Sequence, residues 1–366
     1  VTADDAGHDW RTRSLADLLA EHDLSGLPEH EFPTDGWSGA RFTSIERPGD
    51  PPQRFVIKRT SPSIDWIAAA TDDTTIREAR LASAGAGPSP ILPYLGAATD
   101  GDTAAILMPD LSTELLAWER PALAAGAIDP GVVEQVVDRL AGLHAETWAT
   151  PAFPWCPLPE RVTLTARPTC AGHIARGIPA GVESAGKLLA GWDAFDRQAP
   201  HAARDLVAGL SADPAPLVEA LGRLPSALLH GDLKLANVAI GPDEDQIRFI
   251  DWQMTLRAPV AVELGWFLVS NSASLPMQPD AMLERYRRSA VVVAAARSSP
   301  PSAEPTDLLG DWDAQVDLAR IVGLLLRGWR KGLDAEAGAT LGSGVSGRDD
   351  LAGWSALAVE AAARRL

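Results

Sequence analysis

The sequence predicts an α+β protein in two parts: a small, mostly antiparallel sheet up to about residue 110, and a larger, mainly helical part over residues 111–366. Three observations carry that reading. Up to Met108, short apolar runs alternate with turns rich in Gly and Pro, the pattern of hairpins. Beyond Leu111, apolar residues recur at helical spacing over long stretches. A chain of 366 residues also has room for two domains with substantial cores.

The elements follow in order. Ser14 to Glu21 (SLADLLAE) sets Leu15, Leu18 and Leu19 on one helical face, and Thr12 or Ser14 can cap it. Phe42 and Ile45 flank polar positions, Pro48 to Pro52 make a turn, and Phe55 to Lys58 reads as the returning strand. Thr74 to Ala84 (TTIREARLASA) is helical in composition, and Gly85 to Pro88 stops it. Tyr94 to Ala98 and Ala104 to Met108 read as strands around the turn Thr99 to Asp102, and Pro109 ends the second. Gly131 to Thr147 is a strong helix, with Val133, Val136, Val137, Leu140, Leu143 and His144 on one side. Gly181 to Phe195, Met282 to Arg297 and Trp312 to Leu333 read as helices too. Pro151 to Gly177 is Pro-rich and reads as irregular, and Arg297 to Thr306 and Ala337 to Arg348 read as loops.

Charge excludes two classes of partner. Acidic residues number 49 against 32 Lys plus Arg, a net charge of −17. Nucleic acid and anionic membrane surfaces call for a cationic face, so neither is expected. A cationic partner and plain solubility both fit the acidic excess. The two cysteines, Cys156 and Cys170, lie in no CxxC and beside no activating histidine, and read as structural thiols of a reducing compartment. VTADDAGHDWRTRS lacks the apolar core of a signal peptide, and no apolar run reaches the roughly 18 residues of a transmembrane helix. A cytoplasmic location is the expectation.

The most informative stretch is Leu228 to Gln253, LLHGDLKLANVAIGPDEDQIRFIDWQ. It turns polar at His230-Gly231-Asp232, resumes at Val238 to Ile240, turns at Gly241 to Asp243, and forms a strand over Ile247 to Ile250 that ends on Asp251. A hairpin brings Asn237 and Asp251 together. Amide and carboxylate oxygens of this kind suit Mg²⁺, which keeps waters and substrate phosphates as its other ligands. Asp232 has a different setting: it can orient an attacking hydroxyl, or take its proton when that proton leaves late. In the first part, Gly36-Trp37-Ser38-Gly39 is a turn able to offer N–H groups to phosphate. Lys58 closes the apolar run RFVIKR and can act as a point charge for phosphate, and Glu78 on the inserted helix can pair with it. Arg59 and Arg77 compete with that pairing.

The HGDLKLANV…FIDWQ stretch resembles the catalytic segment of the kinase-like small-molecule phosphotransferases, a family that includes aminoglycoside phosphotransferases and choline and ethanolamine kinases. The resemblance implies a bilobal protein-kinase-like fold. Its nucleotide lobe would span residues 1–110, and its helical lobe, residues 111–366, would hold the catalytic loop, metal site and acceptor pocket. It implies transfer of the γ-phosphoryl group of ATP, or of GTP, to a substrate hydroxyl with Mg²⁺. In that frame Asp232 is the catalytic aspartate, Asn237 and Asp251 are the metal ligands, and Lys58 with Glu78 is the phosphate-orienting pair. Gly36, Ser38 and Gly39 would cover the phosphates. The stretch AAILMPDLS resembles the segment that meets adenine, so backbone groups near Met108 and Asp110 would contact the base. LAGLH (Leu140 to His144) and VELGWFL (Val262 to Leu268) resemble family helices, and order and spacing agree from about residue 36 to 268.

The pattern departs from protein kinases. The loop reads HGD where those enzymes have HRD, Trp252-Gln253 follows the metal aspartate in place of Phe-Gly, and no APE segment follows. A small hydroxylated acceptor is therefore expected, with an aminoglycoside, an amino sugar, a choline-like amine and a neutral compound all open. Asp311, Asp313 and Asp317, with Gln315 between them, can present carboxylates to an amine, or Asp311 or Asp313 can be plain caps at a helix start. Glu263 lines the cleft or is salt-bridged, and His144 and His230 read as structural hydrogen-bonders. Of the 12 Trp, Trp252 and Trp266 fall near the site, and Trp312 and Trp329 can border the acceptor. A monomer or a homodimer fits. The alternative is a nucleotide-binding pseudokinase or regulatory module, against which the intact Asp232, Asn237 and Asp251 set counts. A protein kinase is a third class and lacks its activation segment.

Overall fold

The computed structural model describes residues 9–33, 36–84, 92–116, 128–146, 153–242, 246–297 and 309–366. Five antiparallel strands build the first part: β1 (Glu29–Glu31), β2 (Arg41–Arg47), β3 (Gln53–Thr60), β4 (Gly96–Asp100) and β5 (Thr103–Pro109). Their spatial order is β1-β2-β3-β5-β4. Side chains alternate across the sheet. Val56, Ile106 and Met108 pack with Trp10, Ile76 and Ala79, whereas Phe55, Ile57 and Leu107 pack with Leu18 and Leu24. Lys58 lies opposite Phe42 and Ile106 and so shares the Val56 face.

Three helices are interspersed with these strands along the chain. α1 (Leu15–Glu21) starts on the predicted cap: Ser14 accepts from the Asp17 N–H, and the Asp17 carboxylate bonds back. α2 (Trp66–Ala70) has no counterpart in the sequence reading; Asp65 caps it, accepting from the N–H groups of Ile67 and Ala68. α3 (Arg77–Ala84) begins later than composition suggested. Ile76 takes φ +50°, outside the helical region, and the Asp73 carboxylate then receives the Arg77 N–H at 2.9 Å. The predicted stop at Gly85 to Pro88 lies outside the described residues.

The second part runs through α4 (Pro130–Glu146), α5 (Leu158–Thr163), α6 (Arg167–Arg176), α7 (Pro179–Gln198), α8 (His201–Ala212) and α9 (Ala215–Gly222). Four short strands follow: β6 (Ala227–Leu229), β7 (Val238–Ile240), β8 (Ile247–Phe249) and β9 (Leu256–Ala258). α10 (Val260–Ser270), α11 (Pro279–Arg297), α12 (Trp312–Glu336) and α13 (Gly347–Arg365) complete it. α12 is the axis of the large core, packed against α7, α10 and α13. The stretch read as irregular, Pro151 to Gly177, instead holds α5 and α6, apart from Pro151 and Ala152, which lie outside the described residues. Pro159 and Pro168 sit in the first turns of α5 and α6, where a missing N–H costs nothing. The loop read at Arg297 to Thr306 lies, beyond Arg297, outside the described residues. Cys156 and Cys170 are free and buried, and burial pushes both thiols up to about 11. Among the described residues no helix is long and apolar enough to cross a membrane.

Candidate active site

Lys58 is where the two parts meet. Its Nζ lies 2.5 Å from Glu78 Oε2 on α3 and 2.6 Å from Asp251 Oδ1, just after β8. Burial opposes a charged lysine, but the two carboxylates more than compensate and raise it well above its ordinary range. Burial likewise pushes the Asp251 carboxyl up, and Lys58 beside it holds it below the usual carboxylate value. Asp251 sits at φ +69°, a left-handed conformation that a non-glycine residue keeps only where its surroundings enforce it. The competing arginines point elsewhere. Arg59 pairs with Glu29 and Asp100, and Arg77 donates to the carbonyls of Thr71 and Pro154.

Tyr94 completes the cluster and was missed by the sequence reading. Its hydroxyl donates to Glu78 Oε1 at 2.5 Å, and its oxygen receives the Trp252 N–H at 3.3 Å. Burial, with Glu78 adjacent, keeps the phenol protonated far above its normal range. A tyrosine at the start of a strand carries no local signal for that task.

The polar loop after β6 is held from three directions. His230 Nδ1 accepts from the Asp232 N–H at 3.2 Å, so its proton is on Nε2, which donates to the Ile250 carbonyl at 2.8 Å. Glu263 on α10 is fully buried and receives the N–H groups of Gly231 and Leu233 at 3.1 and 3.3 Å. It is a backbone anchor for the loop, with His144 Nε2 at 3.8 Å. Burial pushes its carboxyl up, and bonding from His144 and Gly231, with His230 nearby, brings it below the normal value. Arg161 on α5 donates through Nε and Nη2 to the Gly231 carbonyl at 2.8 and 2.5 Å. Gly231 itself takes φ +84°, and a Cβ there would stand 2.0 Å from the Met254 carbonyl oxygen. No larger residue fits between His230 and Asp232 without moving the backbone.

Asn237 and Asp251 are brought together by the β7–β8 hairpin, in which Val238 pairs with Phe249 and the Ile250 N–H donates to the Asn237 carbonyl at 3.0 Å. Asn237 Nδ2 donates to the Asp232 carbonyl at 2.9 Å, which commits the NH₂ end of its amide. One amide oxygen and one carboxylate beside the same cavity make a donor set that fits Mg²⁺ shared with phosphates. The Asp232 side chain is 7% exposed, with Lys234 Nζ 3.2 Å from its Oδ2.

Lys58, Glu78, Asp232, Asn237 and Asp251 border one cavity of about 410 Å³. Gly36, Ser38, Met108 and Asp110 line it as well. Gly39 is not on its wall; at φ +96° its missing Cβ leaves room for the Ile64 carbonyl, which a Cβ would meet at 2.3 Å. The loop is pinned to α2 through carbonyls: those of Trp37 and Ser38 accept from the indole and backbone N–H of Trp66 at 2.7 and 2.9 Å. The Asp110 N–H is given to the Arg54 carbonyl, and its carboxylate receives the Ser112 N–H, both at 2.9 Å.

The late acidic residues stay out of the cavity. Asp311 caps α12 by accepting from the Ala314 N–H, Asp317 pairs with Arg364 and Arg365, and Gln315 accepts from the Ala261 N–H. Trp266 and Trp329 are on the wall, whereas Trp312 stacks on Tyr286 and Trp252 packs behind the site against His230. Two arginines that no motif marks, Arg161 and Arg327, also line the cavity.

A family model described as APH, the phosphotransferase enzyme family, matches residues 31–298. No curated protein matches. Among solved structures, the chain is similar to an aminoglycoside phosphotransferase from Alicyclobacillus acidocaldarius, at 16% identity and a TM-score of 0.39, over 92% of this chain and 89% of that one. It is similar to a choline kinase from Cryptosporidium parvum at 12% identity and a TM-score of 0.44, over 93% and 88%. A choline kinase from Streptococcus pneumoniae matches at 10% identity and a TM-score of 0.46, over 93% and 98%.

Proposed function

The chain belongs to the phosphotransferase enzyme family, and on that premise we propose that it transfers the γ-phosphoryl group of ATP to a hydroxyl of a small molecule. The observation that carries this reading is the convergence on one cavity of Asp232, the Asn237–Asp251 pair and the Lys58–Glu78 pair, drawn from both parts of the chain.

In this reading Asp232 receives the acceptor hydroxyl as a hydrogen-bond donor and aims its oxygen at the phosphorus. The carboxylate takes the proton late in the transfer, when the leaving bond is already long. Lys58 holds phosphate oxygens as a point charge. A triphosphate entering the cavity competes with Asp251 for the ammonium, while Glu78, itself fixed by Tyr94, keeps hold of it. Asn237 and Asp251 would hold Mg²⁺, which when bound neutralises charge on the phosphates. Glu263 and Arg161 fix Gly231 and so keep Asp232 in one position. Most of the catalysis then comes from positioning and from charge stabilisation in a preformed site.

The test is Asp232→Asn, assayed by ATP-dependent mass gain across a library of hydroxylated compounds. Turnover should fall by about 100- to 10,000-fold, with ATP affinity changed little. Near-normal turnover in D232N would remove Asp232 from this role. ATP binding with Mg²⁺ and no transfer to any compound would favour a regulatory module instead.

A further inference from the structure

The end of the cavity beyond Asp232 has an unusual donor balance. Trp266 on α10 and Trp329 on α12 form its aromatic wall. The Arg161 guanidinium lies 4.5 Å from the Trp266 ring centre, and that of Arg327 lies 5.0 Å from Trp266 and 4.8 Å from Trp329. Arg161 is fully buried, and its Nη1 has no hydrogen-bond partner. The buried Nε of Arg327 has none either, nor has the indole N–H of Trp266. Neither arginine has a carboxylate within ion-pairing distance among the described residues. Arg330, also on this wall, is neutralised by Asp334 at 3.1 Å.

Three buried donors with no acceptor are costly, because each gave up water without replacement. Two of them belong to cations. Burial pushes the Arg327 guanidinium down to about 10, with Asp232 opposing the fall, so it stays charged at neutral pH. Arg161 is pushed down in the same way. Asp232, the carboxylate coupled to both arginines, is committed to Lys234 in the resting chain and to the acceptor hydroxyl in the reaction. Planar guanidinia backed by aromatic rings are suited to oxyanions.

We infer that the acceptor is a hydroxylated compound bearing an oxyanion, a carboxylate or a phosphate, which the half-buried Arg327 binds on the wall it shares with Asp232, with the buried charge of Arg161 behind it. This rests on the phosphotransferase reading of the same cavity. It makes a polycationic or choline-like acceptor unfavourable here, despite the net charge of −17. Asp311, Asp313 and Asp317, the carboxylates at the start of α12, do not line the cavity.

Calorimetry on the full chain, with ADP and Mg²⁺ present, tests the inference. The probes are glycerate, glycerol phosphate, glycerol and choline, which share a hydroxyl and differ in charge. Glycerate or glycerol phosphate should bind, the stronger of the two showing whether carboxylate or phosphate is preferred, and glycerol and choline should not. Arg327→Met should weaken the anion by roughly 10- to 100-fold, and Arg327→Lys should recover part of the loss. Binding of choline or glycerol but of neither anion overturns the inference, as does binding of none of the four at millimolar concentration. Phosphoryl transfer measured alongside separates the two claims. Transfer to an amine or a neutral alcohol, with no anion binding, leaves a phosphotransferase and sinks the oxyanion site. Anion binding lost in R327M, with no transfer to any compound, does the reverse. If R327M lowers kcat equally for every acceptor at constant KM, the guanidinium serves the transferred group and the inference fails.

Discussion

The two ends of the cavity treat charge in opposite ways. At the sheet end, Lys58, Glu78 and Asp251 each find an opposite charge within hydrogen-bond reach, and Tyr94 fills the remaining site on Glu78. At the helical end, Arg161, Arg327 and Trp266 keep donors with no acceptor. A balanced cluster holds its geometry with nothing bound. An unbalanced one keeps a net positive charge that an anionic ligand can offset. The difference sets a sheet end whose charges satisfy one another against a helical end with a net positive charge. It also explains how an acidic chain can present a locally cationic wall: the excess of carboxylates goes to caps and surface pairs, of which Asp311 and Asp317 are examples.

The comparison can be broken most sharply at Lys58. Lys58→Met leaves two carboxylates facing each other without their cation. It should cost about 3–5 kcal/mol of stability and raise the KM for ATP along with the loss of turnover, as read by denaturant unfolding and steady-state kinetics. Retained ATP affinity would show that the balanced cluster is only structural.

A smaller effect is expected at Glu263, which anchors the loop between the two ends. Glu263→Gln puts one donor where two N–H groups sought acceptors, for a loss of about 1–3 kcal/mol. Its pH dependence has a defined sign. The folded carboxyl is held below its ordinary 4.5, so its contribution is full above that value and fades as pH falls through the folded value. The stability gap between wild type and E263Q should therefore narrow below pH 4.5. A gap that widens on acidification would contradict this assignment.

The smallest effect belongs to Asp65, beneath the Gly36 to Gly39 loop. Burial raises its carboxyl to about 6 from 3.8, with Lys58 and the Ala68 N–H opposing. Ionisation is therefore penalised in the folded chain, and stability from this group is full below 3.8 and lost as pH rises towards about 6. Asp65→Asn keeps the helix cap and should flatten that slope while changing little at acidic pH. Melting curves across this range would show it, and an unchanged slope would refute it.

Much of the site was legible because its residues sit at the edges of short apolar runs. His230-Gly231-Asp232, Asn237 and Asp251 punctuate β6, β7 and β8, and the hairpin register sets Asn237 opposite Ile250, the neighbour of Asp251. Lys58 was legible for the same reason, at the end of an apolar strand. The helices around the acceptor end were harder. Proline in Pro151 to Gly177 reads as a breaker locally, yet Pro159 and Pro168 open helices, and the error hid Arg161. Arg327 lay on a helix that the spacing did predict, but an arginine in an amphipathic helix looks like any solvated charge.

The sequence by itself determined the two-part architecture, the polar constellation of the loop and hairpin, and the net charge, because each is written in local periodicity, turn chemistry or composition. Only the tertiary structure decided which partner each charge meets. Glu78 reaches Lys58 because α3 starts late and Arg77 is turned away. Glu263 becomes a backbone anchor because α10 packs under the loop. Arg161 and Arg327, 166 residues apart in the numbering, meet on one tryptophan because α5, α10 and α12 pack together. Electrostatic meaning depends on distance and burial, and those are properties of the fold rather than of any segment.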